Sequence, residues 1–541
     1  MNVLLISVYT KKMIEKLEEP GISLIASYLR SKSHDVTLIN CNAEPDCNSF
    51  LAYKPDIIGM NMYNASRKAV INIAKNIKGI APNIFITVGG VEPTYYGKEI
   101  MEEANSAIDF IIRGEGEIVF ANLIDEINTN RTFENIKGLT YRENNKIIEN
   151  DNMPFIDNLD TMPYAARDLL IKDNLAVAQI STSRGCIGNC TFCSSPTFWH
   201  KWRGRSAGNA FGEIEELSKN GITMFNFIDS SFEDPDQTLS RMEGIIERII
   251  EKKLKISYFA DFRADFHKKV SNELMEKVRD SGLCAAMIGI ESNNEYDLKL
   301  YGKKATLSDN KKTIALFKKY DIPVKIGFIN FNPYSTIDGL KENVEFLKSL
   351  SLAASVESLA SELMVYKNTP LYKKVINDNL FLEEINGEIK YAYINPNIKQ
   401  LCDFVNKYMR QENEIGYIFN EFKFFCIYYS IMIKNLKLQF RNDHNVAAKF
   451  LCDFESLQNA KIENIINDIN EKIYQWFILL LNIADNGWNV AKATEVTEKH
   501  LHLDDLRNSV KELNRIKRTL YIGIIKIDAG YEAFLLSNLN L

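Results

Sequence analysis

The sequence predicts an α/β protein in three parts: an N-terminal flavodoxin-like doubly wound domain, a partial (β/α)6 TIM-type barrel and a mostly helical C-terminal domain. Three observations predict it. Short β-rich runs alternate with amphipathic helical windows from Met1 to about Asn150, the pattern of parallel strands joined by helices. A second alternation of the same kind runs from Ala176 to Ala360. Beyond about Val375 strand signals fade, and long windows rich in Tyr, Phe, Ile and Lys continue almost to the end. At roughly 100–200 residues per domain, 541 residues hold about three domains, with expected bounds 1–150, 151–375 and 376–541.

In the first part the expected strands are Val3–Val8, Val36–Ile39, Asp56–Met60, Ile84–Val88 and Asp109–Ile112. The expected helices are Gly21–Lys32, Ser66–Lys78 and Glu117–Asn128. Five parallel strands in this span fit a doubly wound sheet, whose ligands bind beyond the strand C-termini. Gly89-Gly90 stands at one such end. Asn144-Asn145, between Leu139–Tyr141 and Ile147–Ile148, reads as a hairpin turn, and Asp151–Asn174, with Pro154 and Pro163, as a linker. The second series has expected strands at Ala176–Ser181, Met224–Ile228, Ser257–Ala260, Ala285–Ile290, Val324–Ile329 and Ser355–Ala360, so its chemistry is expected at the strand C-termini.

Composition narrows the function classes. Lys and Arg number 65 against 71 Asp and Glu, a net charge of −6, so no global basic field favours nucleic acid. Apolar residues at 46% and charged residues at 25% are those of a globular protein rather than a disordered one. The start, MNVLLISVYT, lacks a basic n-region and reads as a first buried strand. The longest apolar stretches, Phe424–Ile433 and Trp476–Ala484, fall short of the ~20 residues that span a bilayer. Nine cysteines, an odd number without a secretory signal, point to reduced thiols or metal ligands and a cytoplasmic location. Cys41, Cys47, Cys284, Cys402, Cys426 and Cys452 share no ligand spacing and are expected to be buried thiols.

The sharpest signal is Ser183-Arg-Gly-Cys186-Ile-Gly-Asn-Cys190-Thr-Phe-Cys193, three cysteines spaced C-x3-C-x2-C just after an expected barrel strand. Clustered thiolates on a glycine-containing loop indicate metal. Three of them on a four-iron cube leave one iron open. A structural zinc instead needs four closed ligands, for which His200 is the nearest fourth. The following stretch, Phe198-Trp-His-Lys-Trp-Arg-Gly-Arg205, offers arginines that could clasp a carboxylate, or a loop that packs its tryptophans and solvates its arginines.

The cysteine loop resembles the signature of radical S-adenosylmethionine (SAM) enzymes. By that resemblance Cys186, Cys190 and Cys193 ligate a [4Fe–4S] cluster whose open iron chelates SAM, and the reduced cluster cleaves SAM to methionine and a 5′-deoxyadenosyl radical. Phe227–Phe232, Phe262–Asp265 and Gly289–Ser292 are similar to the family's segments at the ends of the second, third and fourth strands. They imply Glu291, Ser292, Asp229 and Arg263 as SAM-binding residues, where the alternative is rim charges that cap helices or pair with one another. The family's Gly-x-Pro-Gly-Glu turn after the fifth strand is replaced by Gly327–Ser335, and Lys367-Asn-Thr-Pro370 has Asn in place of Gly in the turn after the sixth.

Pro20–Leu29, Pro55–Gly59, Val88–Thr94 and Arg113–Glu117 together resemble the cobalamin-binding domain of the B12-dependent radical SAM class. This implies cobalamin as a third cofactor, with its nucleotide tail at Gly89 and Gly90. Tyr9-Thr-Lys-Lys-Met13 stands where other cobalamin proteins carry the D-x-H-x-x-G motif, so no axial histidine is expected from this loop. The implied activity is methyl transfer to an unactivated carbon of a natural-product or peptide substrate: cobalamin takes a methyl group from one SAM, and the radical from another activates the substrate. The alternatives are radical rearrangement or oxidation without methyl transfer, and a non-catalytic cobalamin- or metal-binding regulator. The expected partners are a small-molecule or peptide substrate and a low-potential electron donor, with no nucleic acid and no membrane.

Overall fold

The computed structural model describes residues 1–10, 18–173, 175–385, 387–410, 414–440 and 446–527. Residues 11–13 of the Tyr9–Met13 loop, Asn174 at the end of the expected linker, and residues 528–541 of the C-terminal domain lie outside them. The chain forms two compact units: Met1–Ile187 with Ser194–Ser230 and Glu384–Ile389, and Gly188–Cys193 with Ser231–Glu383 and Lys390–Leu541.

The first unit is built on a sheet in which β1 (Asn2–Val8), β2 (Asp35–Cys41), β3 (Ile57–Asn61), β4 (Phe85–Gly89) and β5 (Phe110–Ile112) run parallel in the order β2-β1-β3-β4-β5. The hairpin of β6 (Leu139–Glu143) and β7 (Lys146–Glu149) adds antiparallel to β5. The connecting helices are α1 (Pro20–Ser31), α2 (Asn48–Leu51), α3 (Arg67–Ile80), α4 (Val91–Ala104) and α5 (Gly116–Asn128). β1 is an almost continuous apolar run because both of its faces are covered. Leu4, Ile6 and Val8 enter one core with Val70, Ala74 and Ile77 of α3, while Val3 and Leu5 enter the other with Ile22 and Ala26 of α1 and Val119 and Phe120 of α5. Strand order reverses between β1 and β3, the switch point beside which ligands bind in such sheets.

α4 is absent from the sequence-based expectation because Pro93 and Gly97 interrupt its pattern. Pro93 lies in the first turn, where no intrahelical donor is lost, and Tyr96, Ile100, Met101 and Ala104 are buried at helical spacing. The stretch read as a linker is also packed. Ala166 and Leu169 join the core under α1 and α5, and Asp168 pairs with Arg30 at 2.7 Å. Beyond it β8 (Val177–Ile180) pairs in parallel with β11 (Met224–Phe227), and the short strands β9 (Ser183–Arg184) and β10 (Arg203–Gly204) pair antiparallel.

In the second unit β12 (Ser257–Arg263), β13 (Leu283–Glu291) and β14 (Val324–Phe328) run parallel, with helices Asn272–Asp280, Leu307–Lys319 and Ile337–Ser349 in the connections. The sixth expected strand, Ser355–Ala360, is instead a helical turn, Val356–Leu359. Val356 and Leu359 are buried three residues apart, a helical rather than alternating pattern, while Glu357 between them pairs with Lys325 and Lys423. A single parallel bridge, Phe331 to Glu362, is the β pairing found here.

The C-terminal region is helical from Pro396, in segments that include Val446–Asp485 and Leu503–Ile527, after two short strands at Phe381–Ile385 and Glu388–Tyr391. The apolar stretch at Phe424 is a π-helical turn, Phe424–Tyr428, with Phe424, Phe425 and Ile427 buried and Tyr428 accepting from Lys325 Nζ at 2.9 Å. Trp476 is buried and donates to Thr497 Oγ1 at 2.9 Å. No helix among the described residues is long and apolar enough to cross a membrane.

Candidate functional site

A cavity of about 290 Å³ lies at the C-terminal ends of β3, β4 and β5 and the start of α1. Gly89 and Gly90 line it. Gly90 has φ +113°, a conformation that L side chains rarely adopt, and a Cβ there would stand 3.1 Å from the Met62 carbonyl oxygen. Two buried hydroxyls on the cavity wall, Thr87 Oγ1 and Ser183 Oγ, have no hydrogen-bond partner among the described residues. Bare backbone, apolar walls and unused hydroxyls fit a large ligand of mixed polarity such as a corrin with its amide arms. Glu19 and Tyr63 also line the cavity, with the Tyr63 hydroxyl donating to Glu19 Oε2 at 2.7 Å and burial pushing the Glu19 carboxyl up.

The same cavity is walled by Ser183, Arg184 and Gly185, the residues that lead into Cys186. Arg184 is buried and forms ion pairs with Glu115 through Nη1 and with Glu117 through Nη2 at 2.6 Å. Burial opposes its charge, but Glu117 and Glu115 more than offset that and raise its pKa. Arg203 Nη1 reaches Glu115 Oε2 at 2.9 Å and the Ile156 carbonyl at 2.6 Å, with the Phe155 ring centroid 4.9 Å from the guanidinium. Arg205 pairs with Glu213 at 2.5 Å. Arg203 is therefore buried and Arg205 half-buried, rather than solvated. They hold carboxylates of the protein itself. The signal was available in Arg113-Gly-Glu-Gly-Glu117, two acids on a strand-end turn with no basic residue beside them except Arg113. Arg113 itself turns to Glu149 and Asn152.

Cys186, Cys190 and Cys193 are half-buried on the loop between β9 and the helix Ser195–Trp199. This donor set fits thiolate ligation of an iron–sulfur cluster. Among the described residues no three His, Cys, Asp or Glu side chains converge on a point where one ion would sit. Thiolates on a cube bind separate irons and stand farther apart than that. His200 has φ +55° and packs its ring 5.5 Å from that of Phe155. Within the second unit the loop is fastened by Thr191, whose N–H donates to the Tyr301 carbonyl and whose carbonyl accepts from Leu371 N–H, both at 2.9 Å. Within the first, Asp229 is buried and accepts from Thr182 N–H at 2.8 Å, Ser183 N–H at 2.7 Å and the Thr182 hydroxyl. Its carboxylate thus clamps the chain just before the cysteines.

Glu291 ends β13 with φ +68°, at a register shift against β14. Its carboxylate lies over Gly289 and Gly327, where an added Cβ would come within 2.8 Å and 3.4 Å of its oxygens, and Lys303 Nζ is 3.5 Å away. A non-glycine residue held in this conformation at a strand end is stored strain of the kind found at functional sites. Ser292, by contrast, is fully buried, its hydroxyl 2.9 Å from both Asp297 Oδ2 and Asn343 Oδ1. Arg263 is engaged with Asp265 through Nε at 3.0 Å and Nη2 at 3.1 Å.

Glu233, which no motif in the sequence marks, is a fully buried acid that accepts from the Arg263 N–H at 3.0 Å and the Ser231 hydroxyl at 3.1 Å. Burial, partly opposed by Lys269 and Arg263, pushes its carboxyl up from 4.5 to about 7. The folded protein therefore binds this proton more tightly than the unfolded chain. Its contribution to stability is full below about pH 4.5 and is lost as pH rises to about 7, a change of about 3 kcal/mol. Glu233→Gln is expected to remove this slope from the denaturant midpoint followed between pH 4.5 and 7.5; an unchanged slope would place the proton elsewhere.

A doubly wound domain with a glycine-lined pocket at its strand ends, followed by a parallel α/β domain with a three-cysteine loop, defines an enzyme of the cobalamin-binding radical SAM class. The B12 binding domain model matches residues 6–124 and the Radical SAM superfamily model residues 180–347. The chain is 30% identical over 419 residues to the uncharacterized methyltransferase PH0819 of Pyrococcus horikoshii, covering 74% of this chain and 88% of that one. It belongs to the cobalamin-binding radical SAM family, whose domains imply SAM, a [4Fe–4S] cluster and cobalamin as cofactors. It is also 28% identical over 321 residues to the anaerobic magnesium-protoporphyrin IX monomethyl ester cyclase of Synechocystis, covering 57% of this chain and 63% of the cyclase. The fold matches that of the cobalamin-dependent SAM radical enzyme OxsB, solved with aqua-cobalamin bound, with a TM-score of 0.69, 19% identity and coverage of 95% of this chain and 84% of OxsB.

Proposed function

We propose that this enzyme is a cobalamin-dependent radical SAM methyltransferase that methylates an unactivated carbon of a small molecule or peptide. One observation carries the reading: a single cavity is walled both by the glycine turn of β4 and by the strand that leads into Cys186. When bound, the cofactors supply a transferable methyl group and a radical able to abstract hydrogen from carbon. In this reading the chain binds and orients. Gly89 and Gly90 let the corrin approach the backbone, the three cysteines hold the cluster, and Asp229 fixes the turn before them. Glu291, over its glycine bed, receives SAM at the strand end, and Arg263, held by Asp265, is a second candidate. Ser292 acts through Asp297 and Asn343 as a positioning residue rather than by touching SAM.

The test is anaerobic turnover with reductant and candidate substrates. A methylated product, S-adenosylhomocysteine and 5′-deoxyadenosine in matching amounts are expected. The similarity to a cyclase favours a second reading, radical oxidation without methyl transfer. Deoxyadenosine with an oxidised, unmethylated product would select it.

A further inference from the structure

We infer that Arg184 is a positioning residue that couples the corrin pocket to the cysteine loop, so that filling the pocket and assembling the cluster each favour the other. The inference rests on the cofactor reading above and concerns what transmits between the two sites.

Arg184 stands two residues before Cys186 and lines the cavity, as do both of its partners, Glu115 and Glu117. Glu115 is the N-cap of α5, and Glu117 lies in its first turn. Glu115 is saturated: Oε1 takes Arg184 and Arg203, and Oε2 takes Arg203 at 2.9 Å and the Ile156 N–H at 2.7 Å. A carboxylate so bound cannot shift without breaking a buried charge pair, so the pocket wall and Arg184 move together or not at all.

The far side of the loop is tied to the pocket wall as well. Tyr95, in the first turns of α4 after Gly90, places its hydroxyl 2.9 Å from Thr197 Oγ1 and 3.4 Å from the Ser194 carbonyl oxygen, and Ser194 follows Cys193. The Tyr95 ring meets the Phe198 ring edge-on at 6.3 Å, and Phe198 and Trp199 line the cavity. Both ends of the loop are thus fastened to the two elements, α4 and α5, whose N-termini wall the corrin pocket. By linkage, whatever cobalamin binding does to the loop, an assembled cluster must return to the pocket by the same factor.

The test is the dissociation constant of hydroxocobalamin, from its absorbance change, for cluster-free and cluster-reconstituted protein in the wild type, Arg184→Lys and Tyr95→Phe. In the wild type the cluster is expected to tighten binding at least about fivefold. Arg184→Lys keeps the charge but loses the fork that spans two carboxylates, and is expected to bring the two constants within about twofold of each other. Tyr95→Phe removes one hydroxyl and keeps the ring, so it retains the fold and is expected to reduce the ratio in part. A purely structural role would weaken both forms equally and leave the ratio intact. A wild-type ratio of one, or a full ratio in Arg184→Lys, overturns the coupling. Absence of hydroxocobalamin binding in either form overturns the cofactor reading itself.

Discussion

Cys190→Ala is expected to give a folded protein that no longer cleaves SAM. The loop around it is held by backbone bonds at Thr191, by the Cys193 N–H to the Cys190 carbonyl at 3.3 Å, and by Asp229 upstream, none of which needs the Cys190 side chain. What the substitution removes is one of three thiolates, and two cannot hold a cube with a single open iron. After anaerobic reconstitution the variant should retain less than one cluster per chain and release no 5′-deoxyadenosine above background, with a circular dichroism spectrum like that of the wild type. Undiminished deoxyadenosine release would refute Cys190 as a ligand.

Gly90→Val is expected to abolish cobalamin retention while leaving SAM cleavage measurable. At φ +113° a β-branched residue carries about 1–3 kcal/mol of backbone strain. Its Cβ would also start 3.1 Å from the Met62 carbonyl oxygen, in a segment already bonded to Gly89 through the Met62 N–H at 2.9 Å. The chain must move at the rim of the pocket, where 1.4 kcal/mol is already a factor of ten in binding. Desalted, reconstituted variant should lack a corrin spectrum that the wild type keeps. Equal cobalt content in the two proteins would detach Gly90 from the corrin site.

Much of the first unit was legible because parallel strands buried on both faces leave apolar runs that only a covered sheet explains, as in β1. The hairpin was legible from Asn144-Asn145, which adopt φ +47° and +60°, the two left-handed positions of a type I′ turn. Asn368, at φ +66°, likewise shows why asparagine can replace the usual glycine before Thr369. Helix α4 was hidden by Pro93 and Gly97, and the false sixth strand arose because Ser355–Ala360 is apolar enough to be buried in either form. The cysteine loop was legible from spacing alone. The ion network of Glu115, Glu117, Arg184 and Arg203 was not, because its partners come from segments about 70 to 90 residues apart in sequence and only the fold brings them together. The same holds for Glu291: its motif could be read, but the glycine bed comes partly from β14.

Whether three thiolates and a glycine-lined pocket serve two metal cofactors in one chain is decided by iron, sulfide and cobalt determined together on anaerobically reconstituted protein after desalting. About four irons, four sulfides and one cobalt per chain are expected. Protein that holds neither iron nor sulfide, or one zinc in their place, would contradict the account.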